Sequence, residues 1–222
     1  MQLAILGGTG ALGGGLTLRF AHDTEHQLSV GSRDPERATE AAAAYRETLD
    51  DRGVEARIES GGNADVAAGA DVVVAAVPAT YVASTIESVA DRIRDDAIIV
   101  SPANGIDAHA DGFAAVTPDA GSLTAVAANA APASNPVVGA FHTLAAGRLS
   151  NLEAELGIDT LVVGDDAGAR ERLCDLAEEI DGLRAIDAGP IANAHEVESL
   201  TALQLTLMRQ NPSLEDVGVR FR

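Results

Sequence analysis

An α/β fold of the Rossmann type, a doubly wound parallel sheet with a small C-terminal α/β lobe, is the architecture this 222-residue sequence predicts. Three observations lead there. The apolar run Gln2 to Leu6 passes directly into the glycine-rich stretch Gly7 to Gly13 and then into a helical pattern. Short apolar runs alternate with amphipathic stretches along the chain, as βαβ units require. Two runs, Asp71 to Val77 and Ala97 to Val100, are almost continuously aliphatic, as strands buried on both faces must be.

The elements follow in order. Gln2 to Leu6, Ala11 to His22 and Gln27 to Val30 form a first βαβ unit. Pro35 to about Asp50 reads as a helix, with Asp34 as its cap, proline in its first turn and an alanine-rich body. Ala56 to Glu59 suggests a short strand, and the run ending at Val77-Pro78 is followed by a helical stretch through Asp91. The alanine-rich segment Asp107 to Asn135 is the least legible and is expected to hold a helix and a long connection. Strand patterns resume at Val137 to Phe141, Thr160 to Val163 and Leu183 to Ile186, with a charged helix from Ala167 to Ile180 between the last two. A long helix spans Asn193 to Gln210, after Gly189-Pro190. The expected division is a nucleotide-binding domain over 1–140 and a smaller lobe over 141–222, sharing one core if the domain is continuous.

The charge balance is the most unusual global feature. There are 34 acidic against 15 basic residues, a formal net charge of −19, and every basic residue is arginine. Such a surface repels phosphate backbones and anionic membranes, so nucleic acid and membrane are excluded as expected partners. Carboxylates in excess with lysine abandoned suggest a halophilic protein, because concentrated salt screens the self-repulsion over a few ångströms. Aromatics make up only 3% of the chain, so the core should be aliphatic. Cys174 is the one cysteine, without a disulfide partner, and it reads as a structural thiol. The chain enters a strand at once and has no apolar run near the roughly 18 residues of a membrane span, so a cytoplasmic location is expected.

Gly8, Gly10 and Gly13 complete a G-x-G-x-x-G at a strand-to-helix turn, with Thr9, Ala11 and Leu12 between them. The expected roles are a tight turn at Gly8, approach of a pyrophosphate to backbone N–H groups at Gly10, and close helix–strand packing at Gly13. After the second strand, where an acidic residue would hold the ribose of NAD, stands Gly31-Ser32-Arg33, with Arg37 one helical turn on. A hydroxyl and two guanidinium groups suit a 2′-phosphate, so NADP is the expected dinucleotide. The competing role for these arginines is surface pairing with Asp34 or Glu36. Pro78 and Ser101-Pro102 follow other strands and border a nicotinamide or merely end those strands. No G-x-S-x-G, C-x-x-C or H-E-x-x-H is present. Of the five histidines, His142 in Phe141-His142-Thr143 is best placed to face the cleft, with a structural role as the alternative.

These features resemble the family of F420-dependent NADP oxidoreductases, which exchange hydride between NADP and an 8-hydroxy-5-deazaflavin. The resemblance spans nearly the whole chain. Besides the glycine-rich turn, Val30-Gly31-Ser32-Arg33, Ile99-Val100-Ser101-Pro102 and Phe141-His142-Thr143 carry it. More specific are Ile180-Asp181-Gly182-Leu183-Arg184, Asp187-Ala188-Gly189-Pro190, Glu198-Ser199-Leu200-Thr201 and Met208-Arg209. By this resemblance Thr9 to Leu12, Ser32, Arg33 and Arg37 hold NADP. Val77-Pro78, Ile99 or Val100, and Ala146 line it further along, and coenzyme F420 lies over the nicotinamide near Val217. The chain departs from the family at Leu144-Ala145-Ala146, where a proline is common, and at Ala103-Asn104-Gly105.

Hydride passes between carbon atoms of two cofactors, so no catalytic acid, base or nucleophile and no metal is expected. Proximity and stacking order are the protein's contribution, on the order of 7–11 kcal/mol. Arg209, Arg220 and Arg222 cluster near the C-terminus and could meet the anionic F420 tail or serve a helix C-terminus. The long C-terminal helix suggests a homodimer. Two other readings stand beside this one: a Rossmann reductase of a small imine or keto acid, which usually needs a larger helical domain, and a non-catalytic NADP sensor.

Overall fold

The computed structural model describes residues 1–222. Its first half runs β1 (Gln2–Leu6), α1 (Ala11–Asp23), β2 (Gln27–Ser32), α2 (Pro35–Asp50), β3 (Ile58–Gly62), α3 (Asn63–Ala67), β4 (Val72–Ala75), α4 (Val82–Val89) and β5 (Ile98–Ser101). There follow β6 (Ile106–His109), β7 (Gly112–Ala115), α5 (Leu123–Ala130), β8 (Val137–Gly139), α6 (Ala146–Ser150), β9 (Ile158–Val162), α7 (Ala167–Glu178), β10 (Leu183–Asp187) and α8 (Ala194–Gln210).

Six strands form one parallel sheet in the order β3-β2-β1-β4-β5-β8, with Leu3 paired to Leu28 on one side and to Val72 on the other. Parallel pairing follows from the helical crossovers, which cover both sheet faces. Alternate side chains of each strand therefore enter different cores. Leu3, Ile5, Val72, Val74, Ile98 and Val100 pack with α1, α2, α6 and α7 in one core of 31 buried residues. Ala4, Leu6, Val73, Ala75 and Ile99 pack with α3, α4 and α5 in the other. The larger core runs without a break from Leu3 to Leu183 and so crosses position 140.

The second half departs from a simple continuation. Strands β9 and β10 pair parallel to each other as a separate two-stranded sheet, joined to β8 by one antiparallel bridge in which Gly139 and Val163 exchange both hydrogen bonds. Segment 107–135 does contain a helix, α5, but its long connection holds the antiparallel hairpin β6–β7. A lone two-stranded hairpin is marginal in water, and this one is held by α8. The Phe113 amide donates to Thr206 Oγ1 at 2.9 Å, Gln210 Nε2 donates to Asp111 O at 2.7 Å, and Arg209 donates to the carbonyls of His109 and Ala110 at 2.9 Å each. Arg209 is thus engaged by the hairpin, with its guanidinium 5.9 Å from the Phe113 ring centroid.

Segment 144–154 docks on α1 through a buried cation. Arg19 is 3% exposed and donates to the carbonyls of Arg148, Leu149, Asn151 and Ala154 at 2.6 to 3.1 Å. The C-terminal tail is laid along β9. The Asp159 amide donates to Val219 O at 2.7 Å, and the buried Asp159 carboxylate receives the Phe221 amide together with Nε and Nη2 of Arg184. No helix is long and apolar enough to cross a membrane.

Candidate dinucleotide cleft

In an open parallel sheet the carboxyl ends of the strands leave a crevice where the strand order reverses, here beside β1 between β2 and β4. A cleft of about 490 Å³ lies there, bounded by Thr9 and Gly10 of the first turn, Ser32, Arg33 and Arg37 after β2, and Val77 and Pro78 after β4. Residues from three separate parts of the chain are thereby assembled around one space.

The glycine-rich turn is built on Gly7. Its φ of +74° is a left-handed conformation, and a Cβ there would stand 2.5 Å from Ala76 O, so no side chain fits. The tight turn sits at this residue rather than at Gly8, whose amide is shared between Ile5 O and Gly31 O at 3.1 Å each. Tyr45 of α2 braces the turn from behind, donating its hydroxyl to Gly8 O at 2.8 Å. At Gly13 a Cβ would lie 2.7 Å from Gly7 O and 2.9 Å from Gly8 Cα, which is the close helix–strand approach the spacing predicts. Gly10 caps α1 with no side-chain hydrogen bond, so the helix starts at Ala11 and Leu12 with first-turn amides that no side chain satisfies. An anion placed there meets N–H groups and the positive end of the helix dipole.

Ser32 ends β2 almost buried, its Oγ accepting the Asp34 amide at 3.2 Å. The Asp34 carboxylate borders the cleft but caps α2 by accepting the Glu36 amide at 3.1 Å. Arg33 and Arg37 are exposed and form none of the ion pairs of the chain, so the surface pairing with Asp34 or Glu36 is not realised. Instead the guanidinium carbon of Arg33 stands 4.8 Å from the ring centroid of Tyr81.

Other expected residues stand elsewhere. Val100 is fully buried, paired with Val74 and Val138 and packed in the larger core, so it cannot line the cleft. Its neighbour Ile99 points into the opposite core. The His142 side chain is wholly buried rather than facing the cleft, with Nε2 4.0 Å from Glu198 Oε1 and no hydrogen-bond partner at either ring nitrogen. Burial pushes its pKa down to about 3, which keeps the imidazole neutral. The turn carrying it is clamped through the His142 carbonyl, which accepts Asn104 Nδ2 at 2.9 Å and Thr201 Oγ1 at 2.8 Å.

Ala146 and Val217 do not border the cleft, but the segments that carry them meet through their neighbours Gly147 and Asp216. A Cβ on Gly15 of α1 would stand 3.3 Å from Ala146 O, and one on Gly147 would stand 2.7 Å from the carboxylate of Asp216, the neighbour of Val217. The Val217 carbonyl is fixed by Gln204 Nε2 at 2.8 Å. The motif reading passed over Asn63, Tyr81 and Thr85, which also line the cleft. The one available signal was Tyr81, one of two tyrosines in the chain, standing three residues after Pro78.

Comparison with known proteins agrees with this geometry. Residues 2–105 match the family described as NADP oxidoreductase coenzyme F420-dependent. The F420-dependent NADP reductase of Methanocaldococcus jannaschii is 36% identical over 222 residues, which is 100% of this chain and 98% of that one. The F420-dependent NADP reductase of Methanothermobacter thermautotrophicus is 35% identical over 224 residues, 100% of this chain and 94% of its own.

The chain belongs to the F420-dependent NADP reductase family.

Among solved structures, a putative F420-dependent NADP reductase from an Arthrobacter species superposes with a TM-score of 0.81 at 24% identity, covering 100% of this chain and 99% of that one. A pyrroline-5-carboxylate reductase from Coxiella burnetii superposes at 0.59 with 13% identity, and this chain covers 70% of it. Both likenesses bear on the fold alone. The uncovered remainder of the second is length that the family member described here does without.

Proposed function

We propose that this protein transfers hydride reversibly between NADP(H) and the deazaflavin coenzyme F420. The observation that carries the NADP half is the pair of unpaired arginines, Arg33 and Arg37, at the end of β2 beside an uncapped helix start. Full-length identity of 35 to 36% to two F420-dependent NADP reductases supports the other half.

When bound, the nicotinamide and the deazaflavin supply the redox chemistry between them. The chain's part is to hold and order the two. The amides of Gly10, Ala11 and Leu12, with Thr9, take the pyrophosphate; Gly8 and Gly13 shape the turn; Ser32, Arg33 and Arg37 take the 2′-phosphate. Val77 and Pro78 extend the cleft toward the nicotinamide. Ala146 and Val217, on segments that meet at Gly147 and Asp216, mark the side from which the deazaflavin is held. Ser101 Oγ, at the end of β5, and Asn104 Oδ1 just after it are buried without hydrogen-bond partners. His142 supports this wall from within, and no side chain is assigned a proton-transfer step.

Residues 1–140 are the NADP-binding part and 141–222 the part that completes the deazaflavin site. Leu203 and Leu207, one turn apart on α8, are 55% and 40% exposed, and a second copy of the chain would cover them in a homodimer. The acidic, lysine-free surface fits a cytoplasmic protein of high-salt surroundings that binds neither nucleic acid nor membrane.

The test is steady-state oxidation of reduced F420 by NADP in molar salt, followed by the deazaflavin's visible absorbance, with NAD and FMN as control partners. Turnover with NADP and little with the controls is expected. Tight NADP binding without turnover would overturn the proposal.

A further inference from the structure

Tyr81 is a costly residue for the place it occupies. Only six residues of the chain are Phe or Tyr and none is Trp, yet this ring is 45% exposed at the mouth of the cleft. It belongs to none of the apolar cores. Its backbone is fixed in the 3₁₀ turn Ala79–Tyr81, where its amide donates to Pro78 O at 2.8 Å. Opposite stands Arg33, whose guanidinium carbon lies 4.8 Å from the ring centroid and which has no acidic partner. An exposed aromatic ring thus faces an exposed, unpaired planar cation across the cleft, and neither side chain belongs to a core.

We infer that Tyr81 and Arg33 are the two faces of a slot for the purine base of the dinucleotide, with Tyr81 the positioning residue for that base. The inference rests on the reading of this cleft as the NADP site. If Ser32 and Arg37 take the 2′-phosphate, the base on the same ribose must lie within a few ångströms of them. Of the side chains lining the cleft, only Tyr81 offers a π-face. The present spacing holds a single contact layer, and a base inserted between the two planes needs about 7 Å, two van der Waals contacts of roughly 3.5 Å. Arg33 is on a long exposed side chain and can swing by the difference, while the backbone of Tyr81 is held by its turn. In the free protein the cation covers the ring; in the complex it covers the base, as a guanidinium stacks on an aromatic face.

The experiment is calorimetric titration in molar salt of wild type, Tyr81→Ala and Tyr81→Phe with three probes: NADP, 2′,5′-ADP and nicotinamide mononucleotide. Loss of one base-stacking contact weakens binding by about tenfold or more. Tyr81→Ala should therefore lose about tenfold or more for NADP and 2′,5′-ADP and nothing for the mononucleotide, and Tyr81→Phe should restore both. Since Tyr81 packs in no core, the variants should keep the thermal midpoint of the wild type. Wild-type binding of 2′,5′-ADP that Tyr81→Ala matches within twofold would overturn the slot and leave the function standing. Failure of the wild type to bind NADP would overturn both.

Discussion

Thr124 donates both its amide and its hydroxyl to a single oxygen of Glu198, Oε1, at 2.8 and 2.9 Å, while the amide of Leu123 donates to Oε2 at 2.8 Å. A carboxylate that is 5% exposed on α8 therefore caps the start of α5, and Ser122 takes the next amide, that of Ala125. Charge placed at a helix N-terminus is favourable, and donors left without it would be buried and unsatisfied. Glu198→Ala should destabilise the protein by about 3 kcal/mol in urea unfolding, and Glu198→Gln by less, because the amide keeps one acceptor oxygen. A loss under about 0.5 kcal/mol for the alanine variant would show that α5 does not depend on this cap.

Cofactor choice depends on Arg33 and Arg37. Replacing Arg37 with glutamine should weaken NADP binding by at least about tenfold while NAD changes by no more than about threefold, because only NADP presents a 2′-phosphate to charge-assisted hydrogen bonds; replacing Arg33, which also covers the base, should weaken both nucleotides but NADP the more. Dissociation constants for the two nucleotides decide it. Equal losses for both would sink the assignment.

Arg19 carries the docking of segment 144–154 on α1. Arg19→Met keeps the apolar stem but leaves four carbonyls without their shared donor, so about 3 kcal/mol of stability should be lost. The loss should be local in its first effect: amide hydrogen exchange should rise over Arg148 to Ala154 before the core strands respond. Uniform exchange rates across the chain in that variant would contradict it.

Two buried groups contribute to the acid limb of stability. His142 is held neutral by burial, with a folded pKa of about 3 against about 6.5 unfolded, and Glu198 is the acidic group facing it. Between those values the unfolded chain binds the extra proton, so stability falls as pH falls from about 6.5, by at most about 1.4 kcal/mol per pH unit. The bond from Arg184 holds the Asp159 carboxyl below its usual range. Its contribution is therefore full above about pH 4 and lost as pH drops further, through the folded value. Urea unfolding across pH 7 to about 3 should show His142→Gln flattening the upper part of this slope and Asp159→Asn the lower. A wild-type stability that is level from pH 7 to about 5 would contradict the His142 assignment.

Much of the nucleotide half is visible in the linear sequence because its signals are local. Gly7 to Gly13 after an apolar run, Asp34-Pro35 before an alanine-rich helix, and Ser32-Arg33 after a strand each depend on neighbours within a few residues. The hairpin at 106–115 is invisible for the opposite reason. Its alanine-rich strands have little β propensity, and what holds them is Thr206, Arg209 and Gln210, nearly a hundred residues away. The motif Glu198-Ser199-Leu200-Thr201 marked the family without disclosing its work, which is to cap α5 and clamp the carbonyl of His142.

The alternation of strands and helices, the glycine-rich turn, the choice of arginine after β2 and the overall charge are properties of the linear sequence, and the chain states them unaided; the order of the strands in the sheet is not among them. Burial is different, because it depends on which elements meet. Val100 and His142 look like cleft residues along the chain, yet the two covered faces of the sheet and the arrival of α8 enclose them. Tyr81 falls unremarked in the helical stretch after Pro78, yet the meeting of the β2 and β4 ends sets Arg33 above it. Whether a polar or aromatic side chain faces solvent, a core or a ligand is decided by long-range packing, and only the folded structure contains it.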